Sequence, residues 1–138
     1  HQLMGLAAGL RAYKLRYGHR GANQPVVDLE NGRVYITSQN HGFAVEDPDK
    51  GMLAPHPSGA CSVRGSNELD APFKVRYVNA NDRTVEGLDL IGKRAFTIQY
   101  HPEACPGPHD ASPLFDRFAS MVDDHLAGIP IPNSRGDN

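Results

Sequence analysis

The most constraining stretch of this sequence covers residues 96–110 and reads FTIQYHPEACPGPHD. Apolar side chains alternate with others up to Tyr100, and this period of two, rich in β-branched and aromatic residues, predicts a strand ending there. Residues two apart in an extended chain point to the same side, and Pro102 restricts the backbone between its neighbours. We therefore expect the Glu103 carboxylate to lie beside the His101 imidazole.

A carboxylate that orients a histidine supplies two members of a nucleophile–base–orienter triad, although a histidine and an acid at a strand end are also a common surface feature. Nucleophile candidates within the chain are weak. Cys105 precedes a proline and opens no helix, and nothing holds Cys61 in place. Ser38 and Ser112 lack a strand-to-helix elbow. We expect the nucleophile just before His1, at the start of the first predicted helix.

The periodicity elsewhere predicts an α/β chain with a sheet flanked by helices. Residues 1–10 have apolar positions at helical spacing and small residues that permit close packing on a sheet. The predicted strands cover residues 12–15, 26–29, 33–38, 43–45, 73–78, 84–90 and 94–100. A loop is expected over 17–25 and a hairpin turn at Asn31-Gly32. We expect Val34 and Ile36 to be buried, and the polar residues 39–42 to form a strand end suited to ligand contacts.

Two segments stand apart from this pattern. Residues 47–72 are rich in proline, glycine and serine without periodicity, which predicts a flexible insertion. A second helix is expected from Pro113, with Ser112 as its cap, and its end is predicted at Gly128. Its apolar face comprises Leu114, Phe115, Phe118, Met121, Val122 and Leu126. Residues 1–128 would then form the domain portion, and residues 129–138 a disordered tail.

Composition narrows the class of protein. A length of 138 residues suits one domain, and the net charge of −2 with scattered basic residues does not indicate a nucleic-acid partner. No apolar run is long enough to span a membrane. Two cysteines outside any Cys-x-x-Cys pattern suit a cytoplasmic protein with free thiols. The seven histidines lack metal-ligand spacing, so we predict no metal site.

Four motifs together carry a family resemblance. They are HQL before a small-residue helix, GHRGANQPV, ITSQNHGFAV and QYHPEACPGPHD. With them the chain resembles the small subunits of glutamine-dependent carbamoyl phosphate synthetases, over the C-terminal part of their class I glutamine amidotransferase domain. The resemblance implies a flavodoxin-like α/β domain that hydrolyses L-glutamine and passes ammonia to a large synthetase subunit. ATP and magnesium would belong to that partner, with no cofactor in this chain.

The resemblance also implies roles for single residues. His101 matches the base that activates a cysteine thiol and then protonates the leaving ammonia, and Glu103 matches its orienting carboxylate. The positions that match the substrate-binding residues of the family are Gln2, Asn40, Gly42 and Phe43. The matching cysteine would precede His1, so the segment by itself is not expected to turn over glutamine.

Two alternatives remain open at this point. The chain could be a non-catalytic scaffold that keeps the amidotransferase fold to bind the synthetase subunit. It could also be another class I amidotransferase or a related γ-glutamyl hydrolase, which would share His-Pro-Glu but has no reason to carry SQNHGF and PGPHD together.

Overall fold

A computed structural model describes residues 1–50, 62–66, 68–69, 71–104 and 110–131 of the chain. The elements in chain order are α1 (Gln2–Ala7), β1 (Arg11–Asp28), β2 (Val34–Val45), β3 (Ser62–Arg64), β4 (Phe73–Asn79), β5 (Val85–Leu90), β6 (Ala95–Ile98) and α2 (Pro113–Leu126). No helix within these ranges is long and apolar enough to cross a membrane.

The six strands form one sheet in the order β2-β1-β4-β5-β6, with β3 paired to β1. Each pairing between the described strands is antiparallel. A further contact between Val45 of β2 and Val85 of β5 bends the sheet toward a small barrel. We expected a mixed sheet with flanking helices; the described part has both helices and this antiparallel sheet.

Three clusters of buried side chains hold the sheet together, and the smallest comprises Tyr13, Leu15 and Ala44. Leu10, Val45, Val85 and Leu88 pack at one end of the barrel. The second cluster comprises Val26, Tyr77, Tyr100 and Leu114. Removing these apolar surfaces from water supplies the main driving force for the fold.

The predicted loop over 17–25 is wrong, because β1 runs as a single irregular strand through it. Register shifts between Lys14 and His19, and between Gly21 and Gln24, show that the extra residues are taken up as bulges against β2. Gly18 lies in the first bulge and Gly21 borders the second, with φ of 75° and 110°. Glycine adopts these angles without strain, so the strand bends here instead of ending.

The prediction that Val34 and Ile36 of β2 are buried is also wrong. Val34 and Ile36 are exposed, whereas Thr37 and Gln39 are buried. Residues 39–42, which we predicted at a strand end, lie within β2. The barrel interior on this side is polar, so apolar side chains at the start of the strand face outward.

Part of residues 47–72, which we predicted to be a flexible insertion, lies among the described residues. β3 pairs with β1, and the following backbone is tied to α1 by hydrogen bonds from Ser66 to the Leu6 carbonyl and from Leu69 to that of Ala7. This part therefore has structure of its own. Residues 51–61, including Cys61, lie outside the described residues, as do Cys105 and residues 132–138.

The predicted hairpins and the predicted start of the second helix are present in the structure. The turn at Asn31-Gly32 joins β1 to β2, and β4 pairs with β5 as expected. α2 begins at Pro113 and is followed by Gly128 with φ of 67°. The strand predicted to end at Tyr100 ends at Ile98. Of the predicted apolar face of α2, Leu114 is buried, while Phe115 and Phe118 are exposed.

Candidate active site

An open pocket of about 480 Å³ lies where α1 begins, where β2 passes its midpoint and where the chain leaves β6. Its walls consist of His1, Gln2, Leu3, Asn40, His41, Gly42, Phe43, Ile98, Gln99 and His101. Five of the six predicted site residues are in this set, although they come from three separate parts of the chain. Glu103 is the sixth, and it lies next to His101.

The predicted histidine–carboxylate pair is formed. His101 Nδ1 is 2.9 Å from Glu103 Oε1, and both side chains are exposed. The His101 backbone N–H donates to the Ser38 carbonyl at 2.9 Å, which fixes the histidine against β2. A carboxylate on Nδ1 favours the tautomer that carries its proton there, leaving Nε2 as the proton-accepting nitrogen.

The electrostatics of the pair suit this role. The pKa of Glu103 is lowered, chiefly by a hydrogen bond from the backbone N–H of Glu103 and then by the hydrogen bond from His101. The carboxylate therefore stays ionised near neutral pH and acts as the acceptor for the imidazole. With its proton on Nδ1, the His101 imidazole has the geometry that a general base requires.

Gln2 joins the three walls of the pocket. Its Nε2 donates to the Phe43 carbonyl at 3.2 Å and to Gln99 Oε1 at 3.3 Å. These two bonds link the first residue of α1 to β2 and to the chain just after β6. Gln2 is therefore a structural member of the pocket rim and not an isolated helix residue.

The β2 wall is shaped by the first bulge of β1. Between the pairs Lys14–Phe43 and His19–His41, four residues of β1 lie opposite Gly42 alone. Within the described part of the chain, a Cβ built on Gly42 would meet only Arg20 Nη2, at 3.8 Å. Packing does not require a glycine here, so the absence of a side chain leaves space beside the pocket for a ligand to approach the backbone.

The sequence reasoning missed His1, Gln99 and the role of His41. His1 Nδ1 lies 2.6 Å from Thr97 Oγ1, which ties the start of the chain to β6. A signal for Gln99 was present, because residues 97, 99 and 101 lie on one side of an extended chain. His41 sits in the polar run that we singled out, but no local pattern gives its partners.

A buried polar cluster lies behind the pocket. His19 Nδ1 is 2.9 Å from Glu86 Oε1, and His19 Nε2 is 3.0 Å from Asp82 Oδ2. Burial opposes a charged imidazole, but hydrogen bonds to the two carboxylates and their charges raise the pKa of His19 to about 9. Burial likewise opposes ionisation of Asp82, yet the bonds from His19 and Thr84 lower its pKa to about 2.

The same cluster contains the metal-capable group of the described residues. Ligand atoms of His19, His41 and Glu86 lie within 4.8 Å of one another. Both ring nitrogens of His19 face carboxylates, however, and a histidine so placed holds two protons. A metal ligand needs an unprotonated nitrogen, so the geometry suits an ion-pair cluster better than a metal centre.

The chain is similar to known proteins over most of its length. A family model described as "Glutamine amidotransferase class-I" matches residues 1–121. A carbamoyl phosphate synthase small chain of Methanopyrus kandleri is 50% identical over 125 residues, which cover 91% of this chain and 30% of the relative.

Similarly named proteins occur in bacteria. The small chain of Thermotoga maritima is 42% identical over 134 residues, covering 88% of this chain and 34% of the relative. The small chain of Thermus thermophilus is 42% identical over 141 residues, which cover 99% of this chain and 30% of the relative. The chain thus spans about a third of the length of the curated relatives that it matches.

Proposed function

Because this chain belongs to the class-I glutamine amidotransferase family, we propose that it forms the base-bearing and substrate-holding part of a glutaminase, within the small chain of a carbamoyl phosphate synthase. The observation that carries the proposal is the convergence of His101, paired with Glu103, and of Gln2 and residues 40–43 on one pocket. Similarity to small chains at 42–50% identity supports the choice of enzyme.

In the proposed reaction a cysteine thiol of the full-length protein, placed before His1, attacks the side-chain amide carbon of glutamine. His101 Nε2 takes the thiol proton and then delivers it to the leaving ammonia, while Glu103 holds the ring in position. Water next cleaves the resulting thioester to glutamate. Gln2, Asn40, Gly42 and Phe43 hold the substrate, as the family resemblance implies.

The proposal includes a partner subunit, the fold of the complete domain and a cellular location. The ammonia would pass to a large subunit, which would bind the ATP and magnesium used in carbamoyl phosphate synthesis. The complete domain would be flavodoxin-like, with the antiparallel sheet described above as one part of it. A cytoplasmic location suits a chain with free thiols.

The test is a His101→Ala substitution in the full-length small chain, assayed together with its large subunit. We expect glutamine hydrolysis to fall by at least about 100-fold, because a general base and its nucleophile act as a unit. Synthesis from free ammonia should be unchanged, since it bypasses the glutaminase.

The matched control is His125→Ala, which removes an exposed histidine of α2 that lies outside the pocket. It should leave both activities as in the wild type. Glutamine hydrolysis that persists in the His101→Ala protein would contradict the catalytic role. Absence of hydrolysis in the wild type would favour the scaffold alternative.

A further inference from the structure

The carboxylate of Glu86 is fully buried on β5, behind the wall of the pocket. Its Oε1 lies 2.9 Å from His19 Nδ1 and 3.6 Å from His41 Nε2. Its Oε2 is also buried and has no hydrogen-bond partner among the described residues. A charge buried in this way is stable only beside a compensating positive charge, which the His19 imidazole can supply.

The contacts of His41 identify its protons. Nδ1 lies 2.8 Å from the Phe43 carbonyl, which can only accept, so Nδ1 carries a proton. Nε2 lies 3.0 Å from Gln39 Oε1. The orientation of that amide is set by its Nε2, which donates to Thr37 Oγ1 at 3.1 Å.

The Thr37 hydroxyl in turn donates to the Gln24 carbonyl at 2.8 Å, so its oxygen is free to accept from Gln39. Gln39 therefore presents an oxygen to His41. Both ring nitrogens of His41 thus have hydrogen-bond partners, and the Glu86 carboxylate lies 3.6 Å from Nε2.

His41 connects Glu86 to the pocket through the Phe43 carbonyl. The Phe43 carbonyl that accepts from His41 also accepts from Gln2 Nε2. Glu86 has a second connection through its backbone, because its carbonyl accepts from Gln99 N–H at 2.8 Å. Glu86 thus supports residues 41–43 on one side of the pocket and Gln99 on the other without lining the pocket itself.

We propose that Glu86 is a positioning residue for glutamine binding, which acts by holding the His41 ring in the orientation that fixes the backbone of residues 41–43. This inference rests on the proposed glutaminase function. His19, held between Asp82 and Glu86, neutralises much of the cluster and keeps the Glu86 carboxylate in place. Asp82 has no contact with His41 in the structure, so its influence should end at His19.

The first experiment compares three variants of the full-length small chain with its large subunit. Glu86→Met keeps the side-chain length but removes the carboxylate beside His41. We expect KM for glutamine to rise on the order of tenfold, because the buried charges of the cluster then lose their partner and the His41 ring is no longer held in place. The kcat should stay within about twofold, since His101 and Glu103 are untouched. Glu86→Gln retains an acceptor oxygen and should give an intermediate KM.

Asp82→Asn is the matched control, because it removes the other carboxylate partner of His19. It should lower the temperature of unfolding but leave KM unchanged. If Asp82→Asn raises KM as much as Glu86→Met, the effect is general destabilisation and the inference is wrong. Equal KM values for Glu86→Met and the wild type would also overturn it.

A second measurement needs no activity. Nitrogen-15 NMR of the histidine-labelled full-length small chain follows the His41 ring in the wild type, in Glu86→Gln and in Asp82→Asn, with His41 assigned from a His41→Gln protein. We expect the His41 ring signals to shift more in Glu86→Gln than in Asp82→Asn. Equal shifts in the two variants would overturn the inference, even if Glu86→Met fails to fold. A wild type without glutaminase activity would refute the proposed function alone, and the NMR comparison would still decide the role of Glu86.

Discussion

Gly18 shows how one residue of the β1 bulge shapes the pocket. Its φ is 75°, and a Cβ there would lie 2.4 Å from the His41 carbonyl oxygen and 3.0 Å from Gly42 Cα. Both contacts are with the backbone of the pocket wall, which cannot rotate away as a flexible side chain can. The glycine is therefore needed for its conformation and for its small size.

A Gly18→Ala substitution should destabilise the protein by more than the conformational cost alone. The left-handed conformation costs an alanine about 1–2 kcal/mol, and the clash with β2 should add at least about 1 kcal/mol. Urea unfolding of the full-length protein measures the loss. Under the proposed function, KM for glutamine should rise because residues 41–42 are displaced.

Gly32→Ala separates the two costs. Gly32 has a φ of 73°, almost the same as Gly18, but nothing lies within 4 Å of a Cβ at that position. It should show the conformational cost without a change in KM. Equal losses of stability in the two variants would mean that the bulge relaxes around the added methyl group.

Among the elements, α1 is held unusually close to β2. Gly5 is buried, and a Cβ on it would lie 2.9 Å from both methyl groups of Val45. The sequence indicated such close packing through the small residues of this helix. Because Gln2 lies on the first turn of α1, the distance between α1 and β2 also sets the width of the pocket.

A Gly5→Ala substitution should push α1 away from β2. Alanine favours a helix over glycine by about 1 kcal/mol, but overpacking costs about 1–3 kcal/mol, so we expect a net loss of stability. KM for glutamine should increase as Gln2 moves from the Phe43 carbonyl. Thermal unfolding and glutamine kinetics of the full-length protein measure both effects.

The control is a double-mutant cycle with Val45→Ala, which removes the two methyl groups that meet Gly5. The methyl group added by Gly5→Ala should then be tolerated, so the double variant should be more stable than the sum of the single changes predicts. Strict additivity would show that the contact between α1 and β2 does not limit their approach.

At the scale of the whole molecule, the ion pair between His19 and Asp82 joins parts of the chain that are 63 residues apart. It ties the bulged part of β1 to the turn between β4 and β5. The pair therefore forms only when the barrel is closed, and its protonation is coupled to folding.

Stability should accordingly change with pH in a defined direction. The pKa of His19 rises from an ordinary 6.5 to about 9 in the folded state, so its contribution is complete below about pH 6.5 and is lost as the pH rises through 9. The pKa of Asp82 is lowered to about 2, so its contribution is present above about pH 4 and is lost as the pH falls through 2.

We expect the free energy of unfolding to decrease by up to about 3 kcal/mol between pH 6.5 and pH 9. Urea unfolding of the full-length protein at several pH values measures this slope. Asp82→Asn should make it shallower, because His19 then has one carboxylate partner instead of two. A slope that Asp82→Asn leaves unaltered would assign the effect to other groups.

Short-range patterns in the sequence determined several parts of this protein. The Asn31-Gly32 turn, the start of α2 at Pro113 and the pairing of His101 with Glu103 each depend on residues within a few positions of one another. Local backbone preferences and the period of two settle such features, whatever the rest of the chain does. The family resemblance then connected the four pocket residues that no local pattern would bring together.

Tertiary structure alone decided the rest. The glycines at 18 and 21 suggested a loop, but pairing with β2 on one side keeps β1 extended through them. Val34 and Ile36 are exposed because the barrel interior beside β2 is polar. Glu86 meets His19 from 67 residues away. A buried charge needs a partner of opposite charge nearby, and only the closed sheet brings such residues together from distant parts of the sequence.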